Sequence, residues 1–558
     1  MVKFLNSLCR IVSKSMYLMR NNLLILFSLF SLTTHAVGKL NVQGKLATYS
    51  MIVSGETTPL WLYAGQEGRW GISGKAPFLG IASFKGDFHV GHNISVCGHL
   101  EADYNSKHFG GYLHGYSLGI DWKFLSLKAG RHVFSPVFEH GYKGSGSFLY
   151  GSNARPVDRI TIGIPEYTKL PGVLRRIEIK GEVSHGFMDD EYRGAVKFHR
   201  DVMLHEKYAY VRWDGGKLKP YAGLNHSVLM GGYYSNGEKI PIDFWNSIFA
   251  KGSSKLGGGE MTNAAGAHMG LYDIGVYYSN ENGEYRFYYQ MPFADGSGMK
   301  PFVRNRDQIA GLTWTSSKKG LISALTIEWV NTVYQSGKGM PDAYFHYTDE
   351  NGNVRPFLVV LYQLEDPAFR EDVMRKLGVE NPGSYTKEEV EKYLKENTNY
   401  GYRFGGRDWY MNNGLYPAGW THYGMVMGSP FILSYSQIAH LEPELGARET
   451  YYQLVGDRFR AIHIGAAGDF SDEVSWDLMM SITRNYGSYV HQYTGRYTWV
   501  ETPSYFFKGG KDQFYGSMGM EWSPSKLNGL SIHGMLGVDV GALSKSLGVS
   551  VGLIKQFR

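Results

Sequence analysis

The stretch Gly406–Phe431, GRDWYMNNGLYPAGWTHYGMVMGSPF, carries the densest set of side chains able to do chemistry in this chain. Its twenty-six residues hold three Tyr, two Trp, two Asn, Arg407, Asp408 and His422, with five Gly and no long apolar run. Trp and Tyr offer flat apolar faces with a polar tip, while Asn, Asp and Arg offer planar hydrogen-bonding groups. That mixture suits the apolar faces and equatorial hydroxyls of a sugar ring. The candidate contacts are Arg407, Asp408, Trp409, Tyr410, Asn412, Asn413 and Trp420, with Arg155 added from Ser152-Asn153-Ala154-Arg155-Pro156. Each also has a plain structural reading. Arg407 and Asp408 can pair across a lumen, Trp409, Tyr410, Trp420 and Tyr423 can form an aromatic girdle, and Asn412 and Asn413 can serve a turn.

Catalytic and metal signatures do not appear. The sequence has no Walker loop, HExxH, GxSxG or paired Cys/His metal spacing. His108, His114, His132, His140 and His185 fall in different local contexts, so spacing brings no ligands together. Asp189-Asp190-Glu191 reads as an acidic loop before it reads as a cation site. The expectation is a non-enzymatic protein with no cofactor and no metal.

Several blocks carry a family likeness. They are TTPLWLYAGQEGRWG (Thr57–Gly71), SGSFLYGSNARPVDRITIGIPEYTKLPG (Ser145–Gly172), LHEKYAYVRW (Leu204–Trp213), YYQMPFADGSGM (Tyr288–Met299), IEWVNTVYQSG (Ile327–Gly337) and Gly406–Phe431 itself. Together, in this order, they resemble the Wzi-type capsule assembly proteins of the outer membrane, in the form found in Bacteroidetes-like bacteria. The family pattern often has a His after the QSG block. Here Lys338-Gly339-Met340-Pro341 follows, which puts any role of that His in doubt for this chain. The resemblance implies a closed barrel of about eighteen strands, a helical plug, and a lectin-like role in assembling or attaching capsular or other surface polysaccharide.

The ends and composition point the same way. Arg20, the apolar run Leu23–Leu32 and Thr34-His35-Ala36 read as a secretory signal cleaved near Ala36, with Met1–Leu18 as an upstream extension. The apolar core is too short to span a bilayer. Lys3, Arg10, Lys14 and Arg20 all lie in this leader, so the overall charge of +6 falls to +2 for residues 37–558. Near-neutral charge leaves no nucleic-acid footprint. Cys97 is the single cysteine outside the leader and cannot form an internal disulfide. Glycine is 71 of 558 residues and aromatics are 15%. With no apolar helix after the signal, this composition fits an outer-membrane barrel of a Gram-negative bacterium.

The elements that must position the candidate residues are strands. Tyr272, Ile274, Val276 and Tyr278 alternate with Asp273, Gly275, Tyr277 and Ser279, NENG (280–283) turns the chain, and Tyr285, Phe287 and Tyr289 continue the alternation. Period two sends Ile274, Val276 and Phe287 to lipid and Asp273, Glu284 and Arg286 to the lumen. The final strand offers Leu547, Val549, Val551, Leu553 and Phe557 on one side, with Lys555 snorkelling near its end. A last aromatic resembles the signal read by the barrel assembly machinery, although Arg558 follows it.

Two segments break the pattern. DFWNSIFAK (243–251) predicts a short amphipathic helix with Phe244, Ile248 and Phe249 on one side. Residues 364–396 predict a helical insertion in the barrel domain. Asp366 is its N-cap, Pro367 its first helical residue and Gly378 its C-cap, and a second helix opens on the capping box Thr386–Glu389. The reading is an all-β, large closed antiparallel transmembrane barrel, in contact with outer-membrane lipid and lipopolysaccharide. The rival reading is a porin or sugar-permeating channel, which would need an open lumen. A second rival, a hydrolase, would need a Ser or Asp brought beside a His by the fold.

Overall fold

The computed structural model describes residues 39–557 except 91–92, 108–109, 135–142, 189–199, 235, 257–263, 295–305, 336–337, 405–408, 445–452 and 493–501. The signal expected in residues 1–36 lies outside the described residues, as do His108, His140, Asp189, Asp190, Glu191, Arg407 and Asp408.

Eighteen antiparallel strands form one sheet. The first, Lys39–Gly55, pairs with the last, Ser546–Phe557, in the register Gly44↔Phe557 to Gly55↔Ser546. The sheet is therefore closed, so neither end is left with an unpaired edge of backbone N–H and C=O groups. Alternation decides which face each residue takes. Ile274 and Phe287 are exposed on the outside, while Asp273 and Arg286 are buried inside. Leu547, Val549, Val551 and Leu553 are all exposed on the outer wall, and the intervening Ser546 and Ser550 are buried. Glu284, expected in the lumen, stands exposed beside the tight turn at the strand's start, where it accepts from Ser279.

The abundance of Gly and Tyr has a packing cause. Tyr210, Tyr221, Tyr288 and Tyr49 lie directly across the ladder from Gly223, Gly275, Gly311 and Gly552. A Cβ on Gly223 would sit 2.1 Å from the Tyr210 ring, one on Gly311 2.1 Å from Tyr288, and one on Gly552 2.2 Å from Tyr49. Each tyrosine ring lies over the bare backbone opposite it, a close approach that a side chain would block. The rings then meet one another: Tyr208–Tyr210, Tyr210–Tyr221 and Tyr221–Tyr277 centroids are 5.9, 6.2 and 5.2 Å apart. Asp273 accepts from Tyr210, Tyr221 and Gln290 and pairs with Arg286, so the carboxylate in this aromatic wall is bonded.

Connections on the rim that carries Lys39 and Phe557 are short, and those on the other rim are mostly long, 106–109 and 542–545 excepted. The longest runs from Asn331 to Phe459. It contains a three-stranded sheet, Lys338–Thr348, Val354–Val360 and Asn399–Phe404, and the helices Pro367–Lys376 and Lys387–Asn397. The caps are those expected: the Asp366 carboxylate accepts from Ala368 N, Thr386 and Glu389 form a capping box, and Gly378 has φ 72°. Val373, Met374, Val390 and Leu394 pack on Ala343, Phe345 and Val359 in a core of their own. The sheet partnering the helices was not expected from sequence.

The lumen is filled by other segments, a short helical turn at Leu60–Tyr63 and two irregular stretches, instead of by these helices. Leu60–Tyr63, Phe148–Tyr150 and Tyr410–Phe431 share one buried core with the inner wall. Leu60 N donates to the Asp539 carboxylate on the strand Leu530–Gly541 (3.0 Å).

The helix expected within 243–251 is Phe244–Ile248. Ile248 is buried as expected, but Phe249 is 62% exposed. Phe249 caps the helix with its N–H on Trp245 O, and the four-residue spacing places its ring beside Trp245 and away from the wall.

Candidate functional site

Three segments from the long-loop rim meet inside the barrel and leave a recess of about 460 Å³, counting its open mouth, against the wall. Its lining includes Glu67, Phe134, Tyr150, Arg155, Arg159, Glu206 and Trp420.

The wall supplies Arg159, from strand Asp158–Lys169, and Glu206, from Val202–Trp213. They form a buried ion pair, with the Arg159 guanidinium also 5.1 Å from the Phe134 ring. Phe134 in turn stands 5.9 Å from Tyr150, so two aromatic faces adjoin a paired charge. The Tyr150 hydroxyl meets Ser227 Oγ at 3.3 Å. Burial, helped by Glu206, pushes that hydroxyl far above the usual tyrosine range, so it is a neutral donor or acceptor.

The 56–77 segment is pinned by Arg69. Its guanidinium pairs with Glu67 (3.2 Å), Glu101 and Asp103 (3.2 Å). His114 bridges the same acids, with Nε2 3.2 Å from Glu67 and Nδ1 3.3 Å from Asp103. Partial burial raises the Glu67 pKa, but the His114 hydrogen bond and Arg69 outweigh this and hold it below the usual carboxylate range. Ligand atoms of Glu101, Asp103 and His114 lie within 4.8 Å of one another, close enough for a metal ion. Arg69 already stands among them as the cation. These residues come from adjacent strands, with Glu101 opposite Gly115 and Asp103 opposite Tyr112, so linear spacing gave no sign of the cluster.

The sequence candidates divide. Arg155 and Trp420 line the recess. The Arg155 guanidinium is held between the Tyr112 and Tyr423 rings, 3.5 and 4.6 Å from their centroids, and its carbonyl accepts from His422 Nδ1 (2.9 Å). Trp420 is 2% exposed and donates Nε1–H to Leu149 O (3.0 Å). Tyr410 is fully buried, edge-on to Phe148, with its hydroxyl 3.3 Å from Pro292 O. Asn412 Nδ2 donates to Leu454 O, and Asn413 Oδ1 accepts from Leu415 N within a turn. Trp409 is half-buried at the point where the described chain resumes. Glu67, Phe134, Tyr150, Arg159 and Glu206 were missed. They belong to loops and strands whose composition is ordinary, and only barrel closure brings them together.

The fold does place serines beside histidines. His463 Nδ1 meets Ser481 Oγ at 2.8 Å and His491 Nδ1 meets Ser488 Oγ at 2.8 Å. All four residues are buried, and His463 Nε2 is taken by Lys143 O (3.0 Å).

No family model matches the chain, and no curated protein matches it. Solved structures do. The chain is similar to Wzi of Escherichia coli, described as an outer-membrane, carbohydrate-binding β-barrel involved in group 1 capsule assembly. Identity is 12%, 91% of this chain and 83% of that one are covered, and the TM-score is 0.50. It also matches Pseudomonas aeruginosa OpdQ (7% identity, 93% and 99% covered, TM-score 0.40) and OccK5 (9%, 93% and 99%, 0.39). The likeness to Wzi extends over nearly the whole barrel, and the fold is that of an outer-membrane β-barrel.

Proposed function

We propose that the chain is a non-enzymatic, lectin-like protein that holds capsular or other surface polysaccharide at the long-loop mouth of the barrel. The observation that carries this reading is the recess. Phe134, Tyr150 and Trp420 line it beside Glu67, Arg155 and the Arg159–Glu206 pair. Apolar faces next to fixed planar donors and acceptors are what a pyranose ring needs. The likeness to a carbohydrate-binding barrel supports the same reading. Arg155 and Trp420 are assigned the contacts in the recess, with Tyr410, Asn412 and Asn413 shaping the segment that carries Trp420. Arg407, Asp408 and Trp409, earlier in that segment, are assigned further contacts along the polymer. Such contacts are individually weak, and a polymer gains retention by making many at once.

The test is a deletion strain complemented with wild type or with Phe134→Leu/Trp420→Leu, comparing cell-bound with shed polysaccharide. The double variant should shed more while the heat-modifiable barrel band stays at wild-type level. Normal retention at normal barrel level would reject the recess as the site.

A further inference from the structure

The strands on one side of the barrel carry a polar patch on their outer face. In Val202–Trp213 the even positions point inward, since Glu206 pairs with Arg159 and Tyr208 donates to Glu182. His205 and Lys207 therefore point outward. His185 is the cross-strand partner of His205, and His226 of Lys207, and His268 follows on the next strand. Just toward the turn-side rim, the same outer face becomes apolar and exposed at Val183, Val211, Leu224 and Ile274.

The segment after Met230 folds back over this patch. The helix Phe244–Ile248 buries Ile248 against Val228 and Met230, outward residues of the neighbouring strand. Phe244 meets the His185 ring edge-on at 5.9 Å, and Lys207 Nζ donates to Ile248 O. The helix turns its other side outward. Trp245 and Phe249, 45% and 62% exposed, stack with centroids 6.1 Å apart and planes 16° apart. Lys251 and Lys255 follow and are exposed.

We infer that this helix is a docking point for anionic membrane lipid on the outside of the barrel wall. Trp245 and Phe249 enter the interface among the lipid glycerols and upper chains, and Lys207 and Lys251 meet the phosphate-bearing headgroups. Three features support lipid as the occupant. The patch is continuous with the lipid-facing belt, aromatic rings prefer this depth, and the flanking charges are basic. Asp243, the helix's own carboxylate, is turned away to Asn246, Ser253 and Lys255.

The test uses Cys97→Ala protein with Trp245→Cys, labelled with a polarity-sensitive fluorophore and reconstituted in two kinds of vesicle. One is phosphatidylcholine alone and the other contains phosphatidylglycerol. Each carries a doxyl quencher placed either near the headgroup or deep in the chains. Phe249→Cys provides an independent second reading if Trp245→Cys fails to fold, and Lys395→Cys, on the helical insertion, is the water-exposed reference. Labels at 245 and 249 should be quenched most by the shallow doxyl, and little by aqueous iodide. Phosphatidylglycerol should be preferred over phosphatidylcholine by about fivefold, a preference that Lys207→Gln reduces. Labels that follow the 395 reference, open to iodide and blind to doxyl, would overturn the proposal. Quenching that is equal in both vesicles would overturn its anionic specificity.

Discussion

At the scale of the residue, the tyrosine–glycine pairs explain why this chain departs from average composition. A tyrosine brings a large face, and its cross-strand glycine removes the atom that would hold that face off the wall. We expect Gly223→Ala to cost about 1–3 kcal/mol, the range for overpacking, because its Cβ would fall 2.1 Å from the Tyr210 ring. Urea unfolding in detergent should show the loss, and Tyr210→Leu in the same chain should recover most of it. Equal destabilisation in both backgrounds would mean that the ring does not depend on the glycine. A second residue-level prediction concerns Asp457, fully buried just before the strand Phe459–Ser471. Burial pushes its carboxyl up to about 7, against the opposing pull of Gln335 and Arg458. Its folded pKa is raised, so the folded state binds the proton more tightly than the unfolded chain. Its stabilising contribution is complete below the ordinary aspartate pKa and is lost as pH rises through about 7. Thermal unfolding should therefore show stability declining across that window, and Asp457→Asn should flatten the decline. An unchanged pH slope in the variant would assign it to other groups.

At the scale of the element, the strands and capped helices could be read directly from the chain, and the site could not. Alternation in 272–290 and 546–557 is a local signal, and it correctly sorted Ile274 and Phe287 from Asp273 and Arg286. Caps are equally local, so Asp366, Thr386 and Gly378 marked their helices. Glu284 escaped the alternation rule because at a strand end a side chain can leave the wall for water. The recess is different in kind, because Phe134 and Arg159 lie far in sequence from Trp420 and meet only when the barrel closes. Arg155 was singled out separately, in Ser152–Pro156. Aromatic density pointed to Trp420. It also pointed to Tyr410, whose polar tip is used inside the protein. The Arg69 cluster is the clearest case of an element held by long-range charge. Removing one partner of a buried charge pair costs about 3–5 kcal/mol, and the remaining 16% exposure of Arg69 places this case at the low end. Arg69→Ala should release the 56–77 segment, seen as new protease cleavage within it, while the barrel band persists on a gel. Protection equal to wild type would show that Leu60–Tyr63, anchored on Asp539, holds the segment without Arg69.

At the scale of the whole molecule, the decisive property is whether the barrel conducts. An eighteen-stranded wall encloses a lumen wide enough for water and solutes when nothing fills it. Here the filling is bonded both to the barrel and within itself. Leu60 N reaches Asp539, Trp420 Nε1 reaches Leu149 O, Tyr416 OH reaches Gly231 O at 3.0 Å, and Asn153 Nδ2 holds Gly428 O. Tyr410, Phe431 and Ile432 are almost fully buried, so moving the segment would expose much apolar surface. At about 25 cal/mol per Å² of such surface, thermal opening at rest would be rare. Purified protein in planar bilayers should therefore pass little ion current at steady voltage. Replacing residues 409–431 by a short Gly/Ser linker should open large, stable conductance steps, because the closed wall depends on strand pairing and not on this segment. Large steps from the wild type would favour the channel reading over polysaccharide retention. A silent deletion variant that still shows the barrel band would place the block in Leu60–Tyr63 and Phe148–Arg155, and the same measurement on an Arg69→Ala deletion protein would then separate the two.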